Sequence, residues 1–392
     1  MPKITYNPFK TTIALVMGKN QRLLFVDLHR GLVLLLMIEV HVFNSMLLPQ
    51  IKSLWWFHHL NFINGLVAPS FLFISGFAFI LAGKKKLEEF RKFKFAFWRQ
   101  IGRIGLIFLV GYSLHLPYFS LQKMLHKATP VEISQFINVD ILQCIAFGLM
   151  ALFLLRLLIK NDKVYIWLIF FLGAFSAWIA PYFWNTNSSH ALPMFFSNFL
   201  TRQDGSFFPL LPWLGFMFLG AVTSSYFIQA QEKGTIKIFF KNLSLAGLVF
   251  VVAGHLMLTE GFFLQVKMPP PNYLFFILRL GYVFLIFSAC WFYENRIGLK
   301  ENYILDVSRE SLIVYWLHLQ IIFRKIIGNQ SLQDYVHQSL NVVEAITLTF
   351  VFIIVMMLVA KSWHVVKVKF PERARMVTAI VVWGTVIIFL IK

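Results

Sequence analysis

Long apolar runs separated by short polar stretches recur along nearly the whole chain. A helical run of about 20 mostly apolar residues matches the roughly 30 Å hydrocarbon core of a bilayer, and the pattern predicts about 11 such spans. They fall at Leu32–Leu48, Phe62–Leu81, Ile104–Phe119, Ile137–Leu158, Val164–Tyr182, Phe207–Ile228, Leu243–Leu258, Tyr273–Tyr293, Ile304–Phe323, Val342–Ala360 and Val377–Ile391. Spanning strands would show alternation over about ten residues. These runs are continuous, so helices are the consistent way to pair every backbone amide in lipid. The fold class is therefore all-α, a polytopic integral membrane protein. No soluble domain, long linker or convincing repeat interrupts the pattern, and residues 1–392 read as a single membrane domain.

Composition strengthens this: 58% of residues are hydrophobic and 14% charged, outside the balance of a soluble domain. In a soluble protein the formal charge of +19 would suggest nucleic acid. Here most of the 36 Lys and Arg lie in the amino-terminal stretch and in alternate loops, the positive-inside pattern. The bilayer is the implied partner, and nucleic acid is not. The richest patch, Lys84-Lys85-Lys86 followed by Arg91, Lys92, Lys94, Arg99 and Arg103, assigns the second-to-third loop to the cytoplasm. By alternation the amino terminus is cytoplasmic and Lys392 extracytoplasmic, the expected orientation in a bacterial-type inner membrane. Met1–Gln21 lacks the apolar region and cleavage site of a signal peptide, so the first span is expected to act as its own insertion signal. Cys144 and Cys290 fall within spans, where a free cysteine is expected to pack.

Ionisable groups inside apolar spans cost about 2.5–3.5 kcal/mol on insertion scales and are functional candidates. Three clusters stand out. In the first, Asp27 and Arg30 are spaced to pair across one helical turn. His41 lies eleven residues beyond Arg30, on nearly the same face and about 16 Å higher. The bland alternative is an interfacial Arg with its Asp partner and a His satisfied by a neighbouring helix. The second cluster is Trp55-Trp56-Phe57-His58-His59-Leu60-Asn61, followed by Asn64 and the helix bearing Pro69 and Gly76. The tryptophans fit an aromatic belt, whereas imidazole is the usual general base near neutrality; solvated loop histidines are the alternative. In the third, Ser311, Tyr315 and His318 share one helix face after Asp306, Arg309 and Glu310, which serve equally well as a helix cap with local ion pairs. No His and carboxylate pair has metal-ligand spacing on one span, so no metal is expected.

The run Arg22-Leu23-Leu24-Phe25-Val26-Asp27-Leu28-His29-Arg30-Gly31 with Met37-Ile38-Glu39-Val40-His41 resembles the opening of the heparan-α-glucosaminide N-acetyltransferase family and its bacterial members. It also fits the Arg-x10-His pattern of the wider membrane acyltransferase superfamily. Trp55 to His59, Asn64-Gly65 and Pro69 to Gly76 look like the family's next segment, and Ser308 to His318 is similar to its late helix. The resemblance covers residues 22–323 as an acyltransferase-like core of a transmembrane acyltransferase-type bundle, and leaves two additional spans at 342–391.

What the resemblance implies is transfer of an acetyl group from cytoplasmic acetyl-CoA to an amine or hydroxyl of a glucosamine-type sugar or glycan on the far side. The family's active-site histidine precedes its second helix, where His59 fits best and His58 is one residue off. The animal branch has Asn where this chain has His41, which agrees instead with the Arg-x10-His branch, so either histidine is left as the base. The CoA phosphates would be drawn to Arg30, Arg99, Arg103 and Arg309, with Asp27 beside Arg30. Asn61 and Asn64, with the stripe of Ser311, Tyr315 and His318, would line the acceptor side. Donor and base lie across much of the bilayer, so either the pantetheine arm threads the bundle or a histidine carries the acetyl group. A secondary transporter or exporter of a small polar solute would also place His, Arg and Glu39 in the bundle. A homo-oligomer is compatible with the sequence.

Overall fold

The computed structural model describes residues 23–185, 193–202, 205–258, 271–325 and 330–391. Met1–Gln21 with Arg22, and Lys392, for which expectations were stated, lie outside the described residues. Among the described residues the elements are helices, joined at one point by an isolated bridge between Leu47 and Leu340. The principal helices are α1 (Leu24–Met46), α2 (Trp55–Asn64), α3 (Val67–Gly83), α4 (Phe95–Leu114), α5 (Ile141–Leu158), α6 (Asp162–Asn185), α7 (Leu210–Glu232), α8 (Ile236–Leu258), α9 (Tyr273–Ile297), α10 (Tyr303–Arg309), α11 (Ser311–Phe323), α12 (Val342–Lys369) and α13 (Pro371–Ile391).

Among the described residues eight stretches are long and apolar enough to cross a membrane: α2 with α3, then α5, α6, α7, α8, α9, α12 and α13. The other three expected spans are helical but differ in kind. α1 and α4 have 23 and 20 residues, long enough to cross. Asp27, Arg30 and Glu39 in the one, and Arg99, Gln100 and Arg103 in the other, lower their apolarity. The expected span Ile304–Phe323 is two helices, because Glu310 (φ −105°, ψ 25°) leaves helical geometry. The cause lies in charge. Asp306 and Glu310 are buried, and buried carboxylates need partners. Lys361 stands 3.3 Å from Asp306, and Lys367 reaches both Glu310 oxygens at 2.9 and 3.0 Å, with His364 between. The break turns both carboxylates toward these α12 cations.

α1 is the central helix, packed against α3, α9, α10, α11 and α12. The closest crossing joins α3 to α7. There a methyl added at Gly76 would collide with the Met217 carbonyl, and one at Gly220 with the Phe73 carbonyl. Glycine is required because two backbones touch, as small residues permit in membrane helix pairs. The abundant phenylalanine has a place too: Phe25, Phe73, Phe77, Phe227, Phe240 and Phe287 interlock, mostly tilted or edge to face, with neighbouring centroids at 4.9–6.1 Å.

The bundle has two chemically different ends. One gathers Lys84 with Glu232, Arg156 with Asp162, Arg309 with Glu301 and the α12 cations with Asp306 and Glu310. At the opposite end His115 meets Asp140 at 3.3 Å, and Arg324 Nη1 donates to the Leu116 carbonyl at 2.7 Å.

Candidate active site

Near the second end, α1 and α11 bring two imidazoles together. His318 is fully buried, and its Nδ1 lies 2.7 Å from the carbonyl of Val314, one turn back. A carbonyl only accepts, so this Nδ1 carries the proton. A neutral ring has one N–H, which makes His318 Nε2 an acceptor. That nitrogen lies 3.1 Å from His41 Nδ1, so His41 Nδ1 is the donor. The chain of bonds therefore fixes the His41 tautomer and leaves a lone pair on Nε2. As a residue His41 is only partly buried. The Phe323 ring stands edge-on to it with centroids 6.0 Å apart.

A carboxylate from a third helix completes the cluster. Asp140 begins α5, and its Oδ1 accepts from the Ile141 amide at 2.7 Å. Oδ2 lies 3.3 Å from His115 Nε2 and 3.5 Å from the Tyr315 hydroxyl, which donates to it. Tyr315 also meets His318 edge-on, centroids 5.7 Å apart, and Asp140 lies within electrostatic reach of His41. Trp316 Nε1 donates to Ser113 Oγ at 2.9 Å, fastening α11 to the end of α4 that carries His115. Asp140 and His115 were not singled out in the sequence. An Asp just ahead of an apolar run reads as an ordinary helix cap. The available signal was its place inside the expected span Ile137–Leu158.

The other candidates are spread over three places. His58, His59 and Asn61 are exposed on α2, with His59 edge-on to Trp55 at 5.7 Å. Among the described residues neither His58 nor His59 hydrogen-bonds the imidazole pair. Asn64 is buried on the other flank of α1, its Nδ2 3.5 Å from Glu39 Oε1, while Glu39 Oε2 and Asn64 Oδ1 make no hydrogen bond among the described residues. On the third stripe Tyr315 and His318 are buried and Ser311 is partly so.

The basic end divides the donor-side candidates into two groups. Arg99 and Arg103 line a pocket with Lys86, Gln100 and Phe90. Lys86 lies between spans, and burial, followed by the neighbouring Arg99 and Arg103, pulls its ammonium below the usual lysine range. Asp27 pairs with Arg30 at 3.8 Å, as the spacing predicts, and accepts from Ser308 Oγ at 3.3 Å. Arg309 is already neutralised by both oxygens of Glu301, at 2.5 and 2.7 Å, and by Asp306 at 3.6 Å. That guanidinium holds the exposed Glu301 carboxyl below its usual range. Among the described residues no group of three His, Cys, Asp or Glu is placed to hold a metal ion.

A bundle of membrane-crossing helices around an oriented imidazole has the parts of a membrane-embedded transferase. The family model described as heparan-alpha-glucosaminide N-acetyltransferase, catalytic, matches residues 22–269. That is well over half of the chain, which therefore belongs to this family of acetyltransferases. The matched segment contains His41, His59, Asp140 and the Arg99–Arg103 pocket, and stops short of Tyr315 and His318. No curated protein matches the chain.

Proposed function

We propose that the protein transfers an acetyl group from cytoplasmic acetyl-CoA to an amine or hydroxyl of a glucosamine-type sugar on the extracytoplasmic side, with His41 as general base. The observation that carries this reading is the Val314–His318–His41 chain of hydrogen bonds, which leaves Nε2 of a partly buried His41 unprotonated. His59, which the sequence favours for this role, is exposed and has no comparable orienting partner in the described contacts.

In this reading the basic end faces the cytoplasm, as the positive-inside rule supports, and the amino terminus lies there too. The phosphates of acetyl-CoA sit against Arg99, Arg103 and Lys86, where charge-assisted bonds are strongest. α4 carries Arg103 near this end and leads into His115 at the other, about 18 Å further on. The acceptor's proton passes to His41 Nε2 as its nitrogen or oxygen attacks the thioester carbon. The C–S bond then breaks and the thiolate takes a proton. His318 holds the base in its productive tautomer throughout.

Purified protein in nanodiscs, given labelled acetyl-CoA and glucosamine, is expected to form acetylated sugar and free CoA in equal amounts. Folded protein that releases no CoA and transfers no label overturns the reading. The double substitution Arg99→Gln and Arg103→Gln is expected to raise KM for acetyl-CoA about tenfold, equivalent to roughly 1.4 kcal/mol, with kcat little changed. An unaltered KM would remove the pocket from the donor site.

A further inference from the structure

We propose that Asp140 is the specificity residue for the acceptor: its carboxylate holds the acceptor's ammonium beside His41 and so selects amines over hydroxyls. The inference rests on the acetyltransferase reading and deepens it by giving the acceptor a point of recognition.

Charge is the first consideration. Asp27, Asp306 and Glu310 each have a Lys or Arg within 4 Å. Asp140, only 14% exposed at its side chain, has among the described residues a single ion-pair neighbour, His115. Among the described residues its other bonded neighbours are uncharged, and the nearby cation of α11's end is committed elsewhere. The Ile141 amide and the Tyr315 hydroxyl are neutral donors. His41 and His318 are neutral in the tautomers just derived. The Arg324 guanidinium is bonded to the Leu116 carbonyl and stacked 4.3 Å from the Phe119 ring. An enclosed carboxylate without a fixed cation is costly, and a cationic ligand placed there recovers that cost.

Capacity is the second. An ionised carboxylate has about four acceptor positions, and three are used, one of them at 3.5 Å. A fourth donor can be taken without displacing the others. Proximity to His41 is the third: the Tyr315 hydroxyl reaches Asp140 at 3.5 Å, its ring meets His318 edge-on at 5.7 Å, and His318 bonds His41 at 3.1 Å, so one tyrosine separates the carboxylate from the imidazole pair.

The step balances. His41 Nε2 removes one proton from the bound ammonium and becomes imidazolium. The freed amine lone pair forms the C–N bond at the thioester carbonyl. The C–S bond breaks with its electron pair leaving on sulfur, and the nitrogen's surplus proton goes to that thiolate. The products are the N-acetyl sugar, CoA thiol and one proton, which leaves from His41 to solvent. A hydroxyl acceptor brings no charge for Asp140 to hold.

Asp140→Asn is expected to raise KM for glucosamine tenfold or more, while KM for acetyl-CoA moves less than twofold. Asp140→Glu is expected to recover part of the loss. A purely structural Asp140 would instead lower the Tm and kcat and leave the acceptor KM where it was. On the wild-type protein, N,N,N-trimethylglucosamine, a cation that cannot react, is expected to compete with glucosamine at least tenfold better than glucose does. This arm decides the matter even where the variants fail to fold. An unmoved glucosamine KM in folded Asp140→Asn, or equal competition by the trimethyl cation and glucose, overturns the proposal. If the wild-type protein neither transfers from nor hydrolyses acetyl-CoA, it is the acetyltransferase reading that fails.

Discussion

Replacing His41 with glutamine is expected to lower kcat/KM for acetyl transfer by about 10²–10⁴-fold, the usual contribution of a positioned general base. The substitution removes the Nε2 lone pair that the pairing with His318 leaves free. Glutamine keeps a polar side chain in a partly buried position, so the variant's Tm should stay close to the wild type. His318→Gln is expected to cause a smaller loss, because it disturbs the tautomer and leaves the base in place. His59→Ala, at an exposed position against Trp55, should retain most activity. Steady-state kinetics on the three variants separate the roles, and a dead His59→Ala beside an active His41→Gln would transfer the base to α2. Rapid quench with labelled acetyl-CoA and no acceptor then addresses the route, since label on His41 means a covalent relay and its absence means direct transfer.

The largest structural effect is expected at the α3–α7 crossing. Gly76→Ala and Gly220→Ala each drive a methyl group into a backbone carbonyl of the facing helix, and a carbonyl in a helix cannot rotate aside. The helices must separate along their contact, costing at least about 3 kcal/mol, the top of the ordinary overpacking range. Gly102→Ala on α4 is the matched control, because its added methyl meets nothing within 4 Å. Removing a helix-interior glycine there should gain roughly 0.5–1 kcal/mol. Thermal unfolding in detergent should therefore move in opposite directions for the two kinds of substitution. Equal tolerance of all three would mean that α3 and α7 do not touch as described.

Element type was legible because lipid admits few options: a long continuous apolar run is a helix or it is nothing stable. The Asp27–Arg30 pair was legible for the same reason, since i and i+3 neighbours are fixed by helix geometry. The stripe logic also found His41 and His318 separately. What it could not find is that they bond to each other across 277 residues of sequence, because helix periodicity says which face a residue occupies and nothing about which helix that face meets. Asp140 escaped for a related reason: its partners Tyr315 and His115 converge on it from two other helix segments. Arg309 illustrates the opposite limit. A free arginine near the basic end is a fair phosphate ligand on sequence, yet Glu301 and Asp306 hold its charge. The division of Ile304–Phe323 was hidden because it originates in Lys361 and Lys367, more than forty residues further along.

That division gives α11 the character of a jointed arm. Its joint is Glu310, pinned from α12 by Lys367 and His364, and its working tip is His318, about 12 Å along the helix axis. The spacing of the two imidazoles is thereby referenced to ion pairs at the far end of the bundle, on a helix beyond the matched family segment. α12 acts as the datum from which the His41–His318 pair is measured.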